Sequence, residues 1–345
     1  MLERHNLVTL VLLVLPVLAL YLGAELLGSR LFERIAISLC ISLVLVLGLQ
    51  LFMGNAGILS FAHIGFMGIG AYASAVLTIP ARMKGMALPD LYPFMVGIEL
   101  SPYLAIPIAA LVAAAVAALV AYPLMRLSDA AAVITSFALL VVLHTLMLHW
   151  SALTNGPRTL FGLPRATGLE LAAGCAVLAI LAALAFKESR TGLLLRASRD
   201  DETAAAAMGV DIPHLRWRAF VLSALLAGLG GALWGHFVTS FSPRAFYLRE
   251  TFVVLGMLVI GGAGTVSGAV LGTFLVTFVF EGLRAVEAAL NRAEIFGEQV
   301  VGLTEIVLAL AMIGILILRP GGLCARAEIG QGWKARTPTP AEEQG

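Results

Sequence analysis

Long apolar runs separated by short polar connections extend along most of the chain. Runs that reach the roughly 20 residues needed to cross a bilayer lie at 7–27, 32–53, 101–122, 129–150, 168–186 and 299–318. Three further apolar segments, at 61–79, 217–238 and 247–283, are shorter or interrupted. The pattern predicts an all-α helix bundle that crosses a membrane eight to ten times. We expect residues 1–325 to form one transmembrane domain and residues 326–345 to be a polar, disordered tail.

The orientation of the bundle is predicted from the basic residues. The stretch "GGAGT" at 261–265 divides a run of 37 apolar residues, and counting the halves separately gives ten spans. Six of the 22 basic residues then fall in the connection at 187–218, and four fall on the same side in the C-terminal tail. Since Lys and Arg collect in cytoplasmic connections, we expect this connection and both termini to be cytoplasmic, in a bacterial-type inner membrane.

The composition supports a membrane protein and excludes several other classes. The chain is 60% hydrophobic and only 12% charged, about half the charge of a soluble domain. The net charge of +1 and the lack of a basic patch give no reason to expect a nucleic-acid partner. Cys40, Cys175 and Cys324 are far apart and lack metal or redox spacing, so we expect packing roles and no metal site. The first apolar run is too long for a signal peptide and predicts a first span.

Two glycine-rich stretches resemble each other and predict interruptions in the helices. "GNAGILSFAHIG" at 54–65 and "GGAGTVSGAVLG" at 261–272 agree at six of twelve positions, which indicates an internal repeat with a parallel relation. The predicted helix breaks are Gly54, Gly57, Gly261, Gly262 and Gly264. Transporters place such interrupted helices around the substrate path. The alternative is a simple turn with tight packing, which explains the glycines nearly as well.

The stretch "SRDDETAAAAMGVDIPHLRWR" at 198–218 carries helix start and stop signals between two apolar runs. Ser198 followed by Asp201 fits a capping box, the alanines at 204–207 are strong helix formers, and Gly209 fits a helix end. These signals predict a short cytoplasmic helix over 198–209. Asp211 then predicts the start of the next helix.

A helix this short is not stable alone in water, so we expect it to pack against something. Ala204, Ala205 and Met208 lie one turn apart and form a shallow apolar face. A flat apolar face with charged rims suits docking into a groove on another protein. The alternative is a helix lying on the bilayer surface, but the acidic first turn at 200–202 argues against that.

The chain lacks the residues of a stand-alone pump or enzyme. It has no phosphate-binding loop, and none of its three lysines follows a glycine, so we expect no ATP hydrolysis by this chain. The ionisable residues noted near or within spans are Glu25, His63, His144, His236 and Glu305, and they form no relay at helical spacing. This weakens a proton- or sodium-driven mechanism, and no hydrolase motif is found.

Three stretches resemble the permease subunits of branched-chain amino acid ABC importers, specifically the LivM-like type. They are "LGLQLFMGNAGILSFAHIGFMGIGAYASAVL" (47–77), the segment 198–235 with the charged stretch, and "LVIGGAGTVSGAVLGTFLVTFVFEGLR" (258–284) with the closing "LRPGGL" (318–323). The resemblance covers the chain from about residue 35 to residue 325. The order of the motifs is specific, although each glycine motif alone is weak.

The resemblance implies an assembly that moves its cargo by alternating access. It pairs this chain with a second homologous permease subunit as a heterodimer, two cytoplasmic ABC ATPase subunits that bind ATP and magnesium, and a periplasmic amino-acid-binding protein. The resemblance implies no cofactor for this chain. Membrane lipid is its remaining expected partner. The implied ATPase-docking residues are Asp201, Glu202, Ala204, Ala205, Met208 and Gly209. The dense "AAAA" at 204–207 departs from relatives that carry a charged residue there, which puts specific ion pairs in doubt.

The cargo and its path remain open at this point. The residues chosen for the substrate pathway are Asn55, Ser60, His63, Tyr72 and Ser267, and the alternative for each is a polar group satisfied inside the bundle. The implied cargo is a branched-chain or other hydrophobic amino acid. The same machine could instead carry urea, short amides or aromatic acids. A different class is a secondary carrier that works without an ATPase, while a scaffold or a membrane enzyme is disfavoured.

Overall fold

The computed structural model describes residues 4–127, 129–292, 302–318, 321–324 and 328–329. Within these ranges the secondary structure is helical, apart from one isolated bridge between Leu160 and Phe241. The first eight helices are α1 (Arg4–Leu27), α2 (Arg30–Ala56), α3 (His63–Thr78), α4 (Ala81–Ala87), α5 (Pro93–Val96), α6 (Pro102–Leu124), α7 (Asp129–His149) and α8 (Ser151–Thr154). The remaining seven are α9 (Leu169–Glu188), α10 (Arg190–Asp200), α11 (Glu202–Ala207), α12 (Ile212–Val238), α13 (Leu248–Gly261), α14 (Val266–Arg292) and α15 (Leu303–Leu318).

Seven helices within the described residues are long and apolar enough to cross a membrane. They are Val8–Leu26, Arg30–Ala56, Pro102–Leu124, Ala130–His149, Leu169–Glu188, Ile212–Val238 and Val266–Arg292. The apolar helices α3, α13 and α15 are shorter, with 16, 14 and 16 residues. The prediction of a polytopic all-α membrane bundle is therefore confirmed. The total of eight to ten spans stays a prediction.

Two glycines end helices at the predicted breaks. Gly57 caps α2 with φ +72° and donates its N–H to the carbonyl of Met53 over 2.9 Å. Gly262 ends α13 with φ +114° and donates to Leu258 over 2.9 Å. Such positive φ values favour glycine because side chains with a Cβ are strained there. Gly54 and Gly261 lie inside the ends of α2 and α13, and Gly264 lies in the turn that follows α13.

Helix α12 lies at the centre of the bundle, packed against α2, α3 and α6. Its small-residue run lets neighbouring backbones approach closely, as is common where helices pack in a membrane. A Cβ built on Gly231 would overlap the carbonyl group of Met67, and one built on Gly228 would lie 2.5 Å from the Cβ of Ala113. The tight packing fixes α12 against α3 and α6, so that these helices form one rigid core.

The contacts between helices give the directions of several of them. Helices α3 and α12 run parallel, because His63 contacts Ser223 and, further along both helices, Ser74 contacts His236. Helix α12 begins directly after α11. Helices α12 and α3 therefore both run away from the end of the bundle that carries α10 and α11, which we call the α11 end. Both glycine breaks lie at the α11 end, since Arg199 of α10 reaches the first break and that break meets the second. The internal repeat itself stays a prediction.

Candidate functional site

The helix predicted over 198–209 is shorter in the structure and begins later. Asp201 is its N-cap, with Oδ1 accepting a hydrogen bond of 2.9 Å from the amide of Ala204. Ser198 lies inside the preceding helix α10, where its hydroxyl donates to the carbonyl of Leu195 over 2.8 Å. The prediction that the helix starts at Ser198 was therefore wrong. The sequence contains two nearby candidate caps, Ser198 and Asp201. Asp201 ends α10 and starts α11.

The end of α11 agrees with the predicted stop signals. Gly209 has φ +81°, and a Cβ built on it would meet nothing within 4 Å, so only the backbone conformation calls for glycine. The amide of Val210 donates back to the carbonyl of Ala205 over 3.2 Å, which closes the helix end. Asp211 then caps α12 by accepting from the amide of His214 over 3.2 Å. The segment thus makes a sharp turn on each side of α11.

The apolar side of α11 is open. Met208 is 84% exposed, Ala204 is exposed, and Ala205 is half-buried. A small, flat apolar side of this kind on a short helix suits docking into a groove on another protein. The predicted docking residues therefore lie together on one small surface at the α11 end.

Glu202 joins α11 to the core of the bundle. Its carboxylate accepts hydrogen bonds from the Arg216 guanidinium on α12, at 2.8 Å and 3.3 Å. The Arg216 side chain is buried and also donates to the carbonyl of Leu127, between α6 and α7, over 3.4 Å. Glu202 therefore links the exposed surface of α11 to the core of the bundle. The sequence analysis missed its partner Arg216. An acidic residue 14 positions before an arginine carries no local pattern that would have signalled the pair.

Helix α10 rests on the first glycine break. The Arg199 guanidinium donates to the carbonyl of Gly54 over 2.9 Å. The aliphatic part of Arg199 lies over Gly57, where an added Cβ would come 2.5 Å from the Arg199 Cγ. A Cβ on Gly54 would overlap the carbonyl oxygen of Ala263, which belongs to the second break. The two breaks are therefore in contact with each other, and α10 lies against the first.

The second break is held by a buried ion pair. Lys187, in the last turn of α9, pairs with Glu328, and its ammonium also lies 3.4 Å from the carbonyl of Gly264. The Glu328 carboxylate accepts from the amides of Val266 and Ser267, over 2.9 Å and 2.8 Å, and from the Ser267 hydroxyl over 2.5 Å. Acidic groups are favoured at a helix N-terminus such as that of α14. Glu328 thus fastens the start of α14 to the end of α9.

The electrostatics of this cluster favour the ionised carboxylate. Burial alone would raise the pKa of Glu328, but the Lys187 charge and the hydrogen bonds from Lys187 and Ser267 outweigh it and lower the pKa below its usual value. Glu328 falls within the tail predicted to be disordered, yet it and Ile329 contact the bundle. The other tail residues, 326–327 and 330–345, lie outside the described residues.

The residues predicted for the substrate pathway lie inside the bundle. Asn55, Ser60, His63 and Tyr72 are each buried, with at most 4% of their surface exposed. His63 pairs with Ser223 and packs against aromatic rings. Ser267 is also buried and belongs to the Glu328 cluster. These residues are enclosed within the described part of the bundle, and both the substrate pathway and the alternative of internal polar groups stay predictions.

A more exposed surface lies between α7 and α13, and the sequence analysis missed it. The ring of Phe61 packs edge-on against those of Phe137 and Phe252, with centroids 5.7 Å and 6.3 Å apart. Two charged residues, Arg249 and Glu250, stand at the start of α13, with 3.7 Å between Nη1 and Oε1. A charged pair inside the apolar run 247–261 was the available signal, and the overall hydropathy of the run obscured it.

Comparison with known proteins identifies the family. The model of the family described as "Branched-chain amino acid transport system / permease component" matches residues 31–316. The chain is 26% identical over 290 residues to the high-affinity branched-chain amino acid transport system permease protein LivM of Escherichia coli, covering 74% of this chain and 64% of that protein. It is 25% identical to LivM of Salmonella typhimurium over the same shares.

A shorter match carries a different name. Over 99 residues, 29% of this chain and 31% of the relative, the chain is 29% identical to the nucleoside ABC transporter permease protein NupC of Lactococcus lactis. No solved structure matches the chain. The chain spans 64% of the length of the LivM relatives that it matches. Because the family model covers most of the sequence, this multi-pass membrane protein belongs to the permease components of branched-chain amino acid transport systems.

Proposed function

We propose that this chain is the membrane-spanning subunit of an ABC importer and couples a separate ATPase to the movement of a branched-chain or other hydrophobic amino acid. The observation that carries the proposal is α11, a six-residue helix with an exposed apolar side that is capped at both ends. Such a short helix is not stable by itself. Its caps and its link to Arg216 fix its position. A helix held in this way can transmit the movement of a protein that binds to it.

The α11 end faces the cytoplasm in this proposal. Five basic residues gather at this end, namely Arg190, Arg196 and Arg199 on α10 and Arg216 and Arg218 on α12. Basic residues near span ends collect on the cytoplasmic side. The ATPase subunits therefore meet α11 there, and both termini lie on the same side.

Movement of α11 reaches the glycine breaks through α10 and α12. Glu202 links α11 to Arg216 on α12, and Arg199 on α10 contacts the carbonyl of Gly54 at the first break. Lys187, just before α10, binds the second break through Glu328. Closure of the ATPase dimer around ATP displaces α11, and these contacts shift the helices on either side of each break. The result is alternating access, in which the bundle opens to one side of the membrane at a time.

The complete assembly contains several other chains. A second homologous permease subunit forms a heterodimer with this one, two ATPase subunits bind ATP with magnesium, and a periplasmic binding protein delivers the amino acid. The high-affinity branched-chain amino acid transport system of Salmonella typhimurium has two permease proteins that match this chain, LivM and LivH, which supports pairing with a homologue. This chain itself binds no nucleotide in the proposal, and it resides in a bacterial inner membrane.

Other cargo is a second candidate for the same machine. The match to a nucleoside permease, although it covers less than a third of either chain, supports a fold that serves chemically different solutes. Urea, short amides and aromatic acids are alternatives of the same kind. The binding protein selects the solute, so its ligand decides between amino acids and these alternatives.

Reconstitution tests the proposal. The chain is purified with its partner subunits, placed in proteoliposomes with the binding protein, and supplied with radiolabelled L-leucine and ATP. We expect uptake that requires ATP and stops when the ATPase carries a substitution in its phosphate-binding loop. Accumulation of leucine by this chain without any ATPase would indicate a secondary carrier and overturn the proposal.

A further inference from the structure

The connection between α3 and α6 forms a folded segment at the end of the bundle opposite the α11 end. Its two helices, α4 and α5, have seven and four residues and are too short to cross a membrane. The Lys84 ammonium on α4 donates hydrogen bonds to the carbonyl of Met95 on α5, over 2.9 Å, and to that of Ile98. These contacts give the connection, which we call the α4–α5 segment (residues 80–98), a defined position.

The α4–α5 segment carries exposed aromatic side chains. Tyr92 is 40% exposed and Phe94 is 71% exposed, and their rings stack with centroids 5.8 Å apart. Trp150, which follows α7, is 45% exposed, and its Nε1–H donates to the Tyr92 hydroxyl over 3.3 Å. The three residues Tyr92, Phe94 and Trp150 therefore form one surface, which we call the aromatic patch.

The aromatic patch lies at the level where a hydrocarbon core would end. Helix α7 runs from Asp129 to His149, so its axis is about 30 Å long at a rise of 1.5 Å per residue. This length matches the thickness of the hydrocarbon core. Trp150 is the next residue, and its amide donates to the carbonyl of Leu146 over 2.9 Å. The indole and the Tyr92 hydroxyl bound to it therefore stand at the boundary between hydrocarbon and headgroups.

The apolar surface continues from the patch along the span. Val142 is 53% exposed and Leu146 is 48% exposed, and their spacing of four residues places them on the same side of α7 as Trp150. Contacts between helices in a membrane favour small residues, which let the backbones approach closely. Val142 and Leu146 are large and suit contact with acyl chains. The patch is thus continuous with a surface that faces lipid.

We propose that the aromatic patch lies among the lipid headgroups and that its partner is the bilayer, rather than the second permease subunit or the solute-binding protein. Trp and Tyr collect at this level because their rings are apolar while their N–H and O–H groups are polar. The Tyr92 oxygen accepts from Trp150, so its own O–H can donate to a lipid phosphate. The patch therefore anchors the α4–α5 segment and the end of α7 in the membrane surface. Only its assignment to the outer leaflet rests on the proposed function.

A fluorescence measurement in proteoliposomes tests the contact. Phe94→Cys is introduced into the full chain without Cys40, Cys175 and Cys324, and the new cysteine carries an environment-sensitive fluorophore. We expect lipids with a nitroxide close to the headgroup to lower the fluorescence at least twofold. Lipids with a nitroxide near the bilayer centre and iodide in the water are expected to have a smaller effect.

Met208→Cys, labelled in the same way, is the matched control. Met208 is also an exposed apolar side chain, at 84%, but it lies on α11 at the other end of the bundle. Its fluorophore is expected to be quenched by iodide and not by nitroxide lipids. Trp150→Cys is a second reporter of the patch, with the same expectation as Phe94→Cys, and it serves if the Phe94 variant does not fold.

Two results would overturn the proposal. Quenching of the labelled patch by iodide alone would place it in water. Loss of lipid quenching when the second permease subunit or the solute-binding protein is added would show that a protein covers the patch. Quenching by headgroup nitroxides that persists in the complete assembly would support the proposal. Because the measurement needs no transport, absence of leucine uptake would refute the proposed function and leave the lipid contact standing.

Discussion

Glu202 on the short helix α11 binds Arg216 on the central helix α12, with 2.8 Å between Oε2 and Nη2. Arg216 is almost fully buried, whereas the Glu202 carboxylate is about half exposed. The pair therefore connects a surface that another protein can contact to the most tightly packed helix of the bundle. Truncating one partner of a buried charge pair costs more than the pair contributes, because the other charge is left without compensation.

Glu202→Lys is expected to uncouple ATP hydrolysis from uptake. The substitution places an ammonium group beside the buried Arg216 guanidinium, and the repulsion moves α11 away from α12. We expect leucine uptake to fall at least tenfold in the reconstituted assembly, while the chain still inserts and ATP is still hydrolysed. Glu188→Lys is the matched control, because Glu188 is an exposed carboxylate in the same polar connection. Uptake equal to that of the wild type in Glu202→Lys would show that the pair does not transmit movement.

Gly209→Val is expected to weaken coupling through the backbone alone. A β-branched residue at φ +81° is strained by about 1–2 kcal/mol or more, although the position has open space for a side chain. The strain is relieved when α11 leaves its position, so we expect less uptake per ATP hydrolysed. Gly174→Val on α9 tests volume without this strain, since a Cβ there also meets nothing within 4 Å. Equal uptake in both variants would contradict a defined position for α11.

Glu328→Gln is expected to destabilise the bundle and to alter its pH dependence. The substitution leaves the buried Lys187 ammonium without its counter-ion, at a cost of about 3–5 kcal/mol. The pKa of Glu328 is lowered in the folded chain, so its contribution to stability is fully present above the ordinary pKa of 4.5. That contribution is lost as the pH falls below this value and through the lowered pKa of the folded state.

Thermal unfolding of the purified chain between pH 7 and pH 3 measures this effect. The wild type is expected to lose stability as the pH falls below 4.5, and Glu328→Gln is expected to start lower and lose less. Glu188→Gln, which changes an exposed carboxylate beside Lys187, serves as the control and should follow the wild type. A wild type and Glu328→Gln variant with identical pH profiles would contradict the ion pair.

Much of the fold could be predicted because long apolar runs directly indicate helices that can span a membrane. The glycines at 57 and 262 were also recognisable, since few other residues adopt their positive φ values. The start of α11 was less certain, because Ser198 and Asp201 are both good caps and the choice between them depends on how far α10 extends. Local propensity does not contain that information.

The functional contacts were harder to predict because they join distant parts of the chain. Lys187 and Glu328 are 141 positions apart, and Arg199 reaches Gly54 across 145 positions. A polar residue such as His63 also gives no sign in the sequence of whether it faces a path or the interior of the bundle. Arg249 and Glu250 could have been recognised as charges within an apolar run.

The most direct measurement of the central claim is a cross-link from Met208. A single cysteine at this position, in a chain without native cysteines, is combined with single cysteines on the ATPase in the assembled complex. We predict a cross-link to the ATPase whose yield changes when ATP binds, and labelling of the cysteine by an impermeant reagent from the cytoplasmic side only. Labelling from the outside only, without a cross-link to the ATPase, would contradict the account.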